Sequence, residues 1–153
     1  MDQTEKRNSQ KRILAVDDTA VVLTRISNTL REDYEVITAN SGVRALKYLK
    51  EEKPDLVLLD IQMSPKDGIE TLQEIRAMKN REDIPVIMLT GVEDKDTVLE
   101  AAKLGICDYI LKPFQSEELH ERIRRVFEQK GQTRPKTLKK EDILKHLADS
   151  AQK

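Results

Sequence analysis

The 153-residue sequence has one cysteine, no tryptophan, two histidines and 3% aromatic residues. A lone thiol, Cys107, cannot close an internal disulfide and argues against a thiolate-based zinc site. It reads as an inert core residue. The histidines, His120 and His146, show no metal-ligand spacing and read as surface residues, and neither suggests a phosphorylatable histidine. Long apolar runs are also missing. Leu56 to Leu59 and Val86 to Leu89 are among the longest, at four residues, whereas a membrane span needs about 20. No apolar stretch of signal-peptide length follows the charged amino end, MDQTEKRNSQKR, so the cytoplasm is the expected compartment.

Charge is plentiful, at 36% of residues, and nearly balanced at −1 overall. Its distribution is uneven. Residues 13–128 hold 16 basic and 23 acidic residues, a net −7, while residues 1–12 carry +2 and residues 129–153 carry +4. An acidic body argues against a nucleic-acid surface there, because phosphate contacts need clustered Lys and Arg. The basic tail has no aromatic residue and reads as a solvated linker.

Within that body a rhythm repeats. Ile13-Leu14-Ala15-Val16 is an apolar run closed by Asp17-Asp18, and Val22, Ile26 and Leu30 follow at helical spacing. Tyr34 to Thr38 predicts a strand, and Val43, Leu46 and Leu49 a helix. Leu56 to Leu59 is closed by Asp60, and Ile69, Leu72 and Ile75 line a third helix. Ile84 to Leu89 ends at Thr90. Residues 94–104 give a weaker helix with a stripe of Val98, Ala101 and Ala102. Cys107 to Leu111 ends at Lys112-Pro113, and Leu119, Ile123, Val126 and Phe127 mark a strongly amphipathic last helix. Five strand–helix units predict an α/β fold. The sheet is five-stranded, parallel and doubly wound, with helices on both faces.

In such sheets, sites form beyond the carboxyl ends of the strands, where the strand order reverses. Those ends carry Asp17, Asp18, Asp60, Thr90 and Lys112. If the first and third strands are neighbours, the three carboxylates converge. Their mutual repulsion raises at least one pKa unless a cation intervenes. A hard divalent cation such as Mg2+ resolves it, since it takes oxygen ligands and commonly binds one or two carboxylates plus a phosphate. Lys112 adds positive charge, so the pocket suits a phosphoryl group, and a carboxylate can carry one as an aspartyl-phosphate. Taken singly, Asp17 or Asp18 reads better as a helix N-cap and Asp60 as a turn cap. The ordered set of five outweighs those separate readings.

These positions resemble the receiver domain of bacterial two-component response regulators, over about residues 13–128. The resemblance rests on Asp17-Asp18, Asp60, Thr90 and Lys112-Pro113 at family spacing, with Tyr109 and Gly68 also matching. It implies a flavodoxin-like (βα)5 fold with strand order 2-1-3-4-5. It implies that Asp60 accepts phosphate from a sensor histidine kinase or phosphotransfer protein. Asp18, Asp60 and the Gln62 backbone carbonyl would ligate Mg2+, with Asp17 assisting through water. Lys112 would pair with the phosphoryl group, Thr90 would swing to hydrogen-bond it, and Tyr109 would rotate inward. Lys112-Pro113 would be cis. One departure is Met63-Ser64-Pro65, where the proline falls one place later than the family's frequent Met-Pro, with the spacing to Gly68 kept. Gln62 and Val92 occupy positions that tune hydrolysis in the family.

The expected organisation is a disordered lead-in over 1–11, a receiver domain over 12–130, and a linker with a short C-terminal helix over 131–153. The linker is GQTRPK and the helix carries Ile143, Leu144 and Leu147. That helix is too small to be an output domain. The readout surface is expected on the fourth helix, fifth strand and fifth helix, because the fourth helix has a thin stripe. Through this surface the domain would control a downstream effector or an output domain, and the same face could form a homodimer. No direct nucleic-acid or membrane partner is expected. Two other functions compete. A Mg2+-dependent phosphohydrolase using Asp60 lacks a second acid two residues on, since Ile61-Gln62 follows. A flavin module lacks a first loop rich in Gly, Ser or Thr.

Overall fold

The computed structural model describes residues 10–63, 67–91, 95–129 and, in the tail, 141, 144 and 145. Five strands alternate with five helices: β1 (Arg12–Val16), α1 (Ala20–Leu30), β2 (Glu35–Ala39), α2 (Gly42–Glu51), β3 (Leu56–Asp60), α3 (Gly68–Ala77), β4 (Val86–Thr90), α4 (Lys95–Leu104), β5 (Asp108–Leu111) and α5 (Ser116–Gln129). The strands are all parallel, in the order β2-β1-β3-β4-β5. This is the expected doubly wound sheet with its expected order.

Strand residues alternate between two cores. Ile13, Ala15, Leu56, Leu58, Ile87, Leu89 and Ile110 face Leu23, Ile26 and Leu30 of α1 and Leu119, Ile123 and Val126 of α5. Leu14, Val16, Val57, Leu59, Val86, Met88 and Tyr109 face α2, α3 and α4. With both faces covered, β3 and β4 are buried at every position. This is why their sequences read as continuous apolar runs rather than alternating ones.

The helix stripes depart from expectation in detail. Val43 is 57% exposed, and α2 instead buries Gly42, Ala45 and Leu49. The N-cap explains the rotation. Ser41 accepts a hydrogen bond from the Arg44 amide at 3.1 Å, which sets the first turn so that Ala45 joins the core and Val43 points away. In α1 the buried positions are Leu23, Ile26 and Leu30, with Val22 only half-buried. Asp67 caps α3 by accepting from the Glu70 amide at 2.8 Å. Phe127 is partly buried, its ring 5.5 Å from that of Tyr34. Ile84 is buried but precedes β4, and Cys107 is half-buried just before β5. Residues 1–9 of the expected lead-in and the linker 131–136 lie outside the described residues. So do Ser64, Pro65, Val92, Ile143, His146 and Leu147. Leu144 and Lys145 are helical. No helix among the described residues is long and apolar enough to cross a membrane.

Gly68 opens α3 against the loop that leaves β3. Its amide donates to the Ile61 carbonyl at 2.8 Å. A Cβ there would lie 2.1 Å from the Asp60 carbonyl oxygen and 2.7 Å from Ile61 Cα. No side chain fits that approach without moving backbone. Gly68→Ala is expected to destabilise the fold by about 1–3 kcal/mol, read as a lower urea midpoint. An unshifted midpoint would show that the loop yields freely.

Candidate functional site

Strand register brings the acidic residues together. Val16 pairs with Leu59, so the next residues, Asp17 and Asp60, leave adjacent strands side by side. The chain runs from β1 outward to β2 and returns to β3, so this is the point where strand order reverses, the usual place for a site in an open α/β sheet. One carboxylate oxygen from each of Asp17, Asp18 and Asp60 can be chosen such that all lie within 4.8 Å of one another.

Asp17 is fully buried. One of its oxygens accepts from the Thr19 amide at 2.9 Å, and the other accepts from Lys112 Nζ at 2.7 Å. The N-cap of α1 is Thr19, whose side chain makes no capping bond. Neither Asp17 nor Asp18 is therefore the cap of this helix, and the simplest separate reading of that pair does not apply. Asp18 is exposed at the rim. Asp60 is 4% exposed, and its Oδ1 accepts from the Gln62 amide at 3.3 Å and lies 3.2 Å from Lys112 Nζ. Lys112 follows β5, and its own amide donates to the Thr90 carbonyl at 2.7 Å. Thr90, buried at the end of β4, donates its hydroxyl to the Gly91 carbonyl at 3.1 Å. Tyr109 lies inward, 2% exposed, in the core under α4. The Lys112-Pro113 peptide is cis.

The electrostatics follow from these positions. Burial, reinforced by the negative charge of Asp17, raises the Asp60 carboxyl to about 6, although Lys112 and the Gln62 amide both pull it down. Burial alone would lower the Lys112 pKa, but the hydrogen bond to Asp17 and the charges of Asp60 and Asp17 outweigh it and hold the ammonium charged. Burial, then the nearby Asp108 charge, pushes Tyr109 up to about 12, so it stays a neutral phenol. Burial also raises the Cys107 thiol, consistent with an unreactive cysteine.

The donor set suits a hard cation. Every candidate ligand is a carboxylate or carbonyl oxygen, and the Lys112 ammonium contacts two of the three clustered carboxylates, Asp17 and Asp60. Two features of this neighbourhood escape a reading of the sequence alone. The Thr19 amide fixes the Asp17 carboxylate, and the Arg25 guanidinium grips the Phe114 carbonyl. Both join a side chain to a backbone group and leave no periodic trace.

Comparison with known proteins points the same way. Residues 13–124 match the family described as the response regulator receiver domain. The chain is 35% identical over 135 residues to the alkaline phosphatase synthesis transcriptional regulatory protein PhoP of Bacillus subtilis (strain 168), covering 88% of this chain and 55% of PhoP. It is 39% identical over 120 residues to the probable transcriptional regulator ycf27 of Pyropia yezoensis, covering 78% and 48%. The chain thus spans about half the length of these curated relatives. Among solved structures, a CheY-like response regulator receiver domain protein from Methanospirillum hungatei JF-1 aligns with a TM-score of 0.75 at 31% identity, over 80% of this chain and 98% of its own. The chemotaxis protein CheY4 of Vibrio cholerae aligns at 0.73 with 29% identity, over 77% and 99%.

In the metal-free protein the Asp60 carboxyl should titrate near pH 6. The folded state holds that proton more tightly than the unfolded chain does. The stability it lends is complete below about pH 4 and is lost as pH rises through about 6, a change on the order of 3 kcal/mol. Asp60→Asn removes this loss. Its stability advantage over wild type should therefore grow across that window and then level off. A difference that stays constant with pH would mean the site imposes no strain on the carboxylate.

Proposed function

The chain belongs to the response regulator receiver domain family, and from that premise we propose that it is a phosphoacceptor switch in which Asp60 receives a phosphoryl group. The donor would be a phosphohistidine on a sensor histidine kinase or phosphotransfer protein, and the transfer would require Mg2+. The observation that carries this reading is the cluster of Asp17, Asp18 and Asp60, with the Lys112 ammonium against two of its members, Asp17 and Asp60.

In the transfer, an Asp60 carboxylate oxygen forms a bond to phosphorus while the phosphorus–nitrogen bond of the donor breaks. The imidazole is protonated by solvent as it leaves and departs neutral. Lys112, held charged beside Asp17 and Asp60, neutralises charge on the transferred oxygens. The Gln62 amide, already bonded to Asp60 Oδ1, keeps the carboxylate oriented. Asp18, Asp60 and the Gln62 carbonyl would hold Mg2+, and Asp17 would assist through water. The ion supplies the positive charge that one lysine cannot. The domain promotes its own phosphorylation and dephosphorylation but turns over no outside substrate. The phosphohydrolase alternative finds no support in the neighbourhood, since the exposed Gln62 stands where a second acid would serve.

The switch would run through Thr90. Its hydroxyl now donates to the neighbouring Gly91 carbonyl, and a phosphoryl group on Asp60 would offer a charged acceptor instead. Such a bond contributes about 1.5–3 kcal/mol. Raising an active state from about 1% to half of the molecules takes about 2.7 kcal/mol, so one bond suffices. Tyr109 would change its packing with Thr90. The α4-β5-α5 face would then carry the change to a downstream effector or output domain, and it could also form a homodimer. Residues 12–130 would make up the receiver unit, with 131–153 as linker and short helix, working in the cytoplasm.

With a small-molecule phosphodonor and Mg2+, intact mass should rise by one phosphate that is lost in alkali. Asp60→Asn should gain none, and undiminished uptake in that variant would name another acceptor. Thr90→Ala should still be phosphorylated, but amide spectra of the α4-β5-α5 face should change far less on phosphorylation than in wild type. An equal change would remove Thr90 from the switch.

A further inference from the structure

Lys112 stands at the head of a turn, Lys112-Pro113-Phe114, that is secured from two sides. On one side the Lys112 amide donates to the Thr90 carbonyl of β4 at 2.7 Å. On the other, Arg25 reaches across from α1. Its Nη2 donates to the Phe114 backbone carbonyl, and its guanidinium carbon lies 4.9 Å over the Phe114 ring. That ring is itself fixed, 4% exposed in the core shared by α1 and α5. One turn further along α1, Thr29 Oγ1 lies 3.4 Å from Ser116 Oγ at the start of α5.

The helix that carries Arg25 begins at Ala20, directly after the Asp17-Asp18 loop. The two ends of the 2.7 Å Asp17–Lys112 pair are therefore joined a second time, by the Arg25–Phe114 clasp. An ion pair tolerates little displacement of its partners before its charge is felt elsewhere. A stacked guanidinium that also holds a carbonyl resists sliding and tilting together.

We propose that Arg25 is a positioning residue for phosphoryl transfer: by clasping Phe114 it holds the Lys112 ammonium over Asp60. This deepens the phosphoacceptor reading of the site and rests on it. Arg25 is exposed apart from this contact and lies outside the carboxylate cluster.

The test compares Arg25→Met, which keeps an apolar stem and removes the donor, with Arg25→Lys, which keeps a donor and a cation. The phosphodonor is a small molecule, so that any docking role of α1 toward a protein partner does not register. Arg25→Met should lower the maximal phosphorylation rate about tenfold, leave Mg2+ affinity and donor half-saturation within about twofold, and be largely rescued by Arg25→Lys. In unphosphorylated, metal-free protein, the ammonium signal of Lys112, assigned by its loss in Lys112→Met, should shift in Arg25→Met and return in Arg25→Lys. A wild-type rate in folded Arg25→Met, or an unmoved ammonium signal, overturns the proposal. Should wild type itself take up no phosphate, the phosphoacceptor reading falls, and the ammonium signal still decides whether Arg25 places Lys112.

Discussion

The ammonium of Lys112 sits 2.7 Å from Asp17 and 3.2 Å from Asp60, and with Asp18 in the same cluster the described residues set this one cation beside three carboxylates. Two unit charges about 5 Å apart repel by roughly 3 kcal/mol at an effective dielectric near 20. Burial is the larger cause, and with this repulsion from Asp17 added it raises Asp60 from 3.8 to about 6 against the pull of Lys112 and the Gln62 amide. The proposed phosphoryl chemistry of the site rests on this imbalance. A neutral cluster would attract neither a divalent cation nor a transferring phosphoryl group. A cluster with no lysine would leave the buried Asp17 with no cation beside it.

The fold produces this imbalance through topology rather than through any single strong contact. β1 and β3 are neighbours only because the chain visits the sheet edge at β2 and returns. Their level register then sets Asp17 beside Asp60. Both strands are sealed on both faces by apolar side chains, which keeps the rim rigid enough to hold like charges together. Gly68 completes the arrangement, since its missing side chain lets α3 begin against the Asp60 carbonyl.

Much of this was legible in sequence for physical reasons. Strands buried on both faces are apolar throughout, so β1, β3 and β4 stand out. Their polar ends then mark Asp17, Asp60 and Thr90. The helix stripes were less secure because small residues can form the buried face. Gly42 and Ala45 do so in α2, while the larger Val43 lies outside. Side-chain-to-backbone clasps were not legible at all. Arg76 donates to the carbonyls of Glu82, Ile84, Leu104 and Gly105, and Arg25 to that of Phe114. Any arginine on a helix face looks solvated until the tertiary structure supplies its acceptors.

Those clasps bear on how a change at Asp60 could travel. β5 is fastened to α5, because Arg122 holds both oxygens of Asp108 at 3.1 and 2.9 Å while Asp108 also accepts from the Tyr109 amide. The foot of α4 is fastened too, by Arg76 on the carbonyls of Leu104 and Gly105. Between its ends α4 buries only Val98 and Ala101, against five buried positions in α3. Few buried contacts mean low local stability. Of the elements on the proposed readout face, α4 is thus the one with the least to lose by moving. With its foot fixed, such a movement would be a tilt of its amino end. An energy of one charged hydrogen bond, too small to shift a fully packed helix, is commensurate with a helix held at one end by an arginine and along its length by two buried side chains, with Leu99, Ala102 and Leu104 only partly buried against the same core.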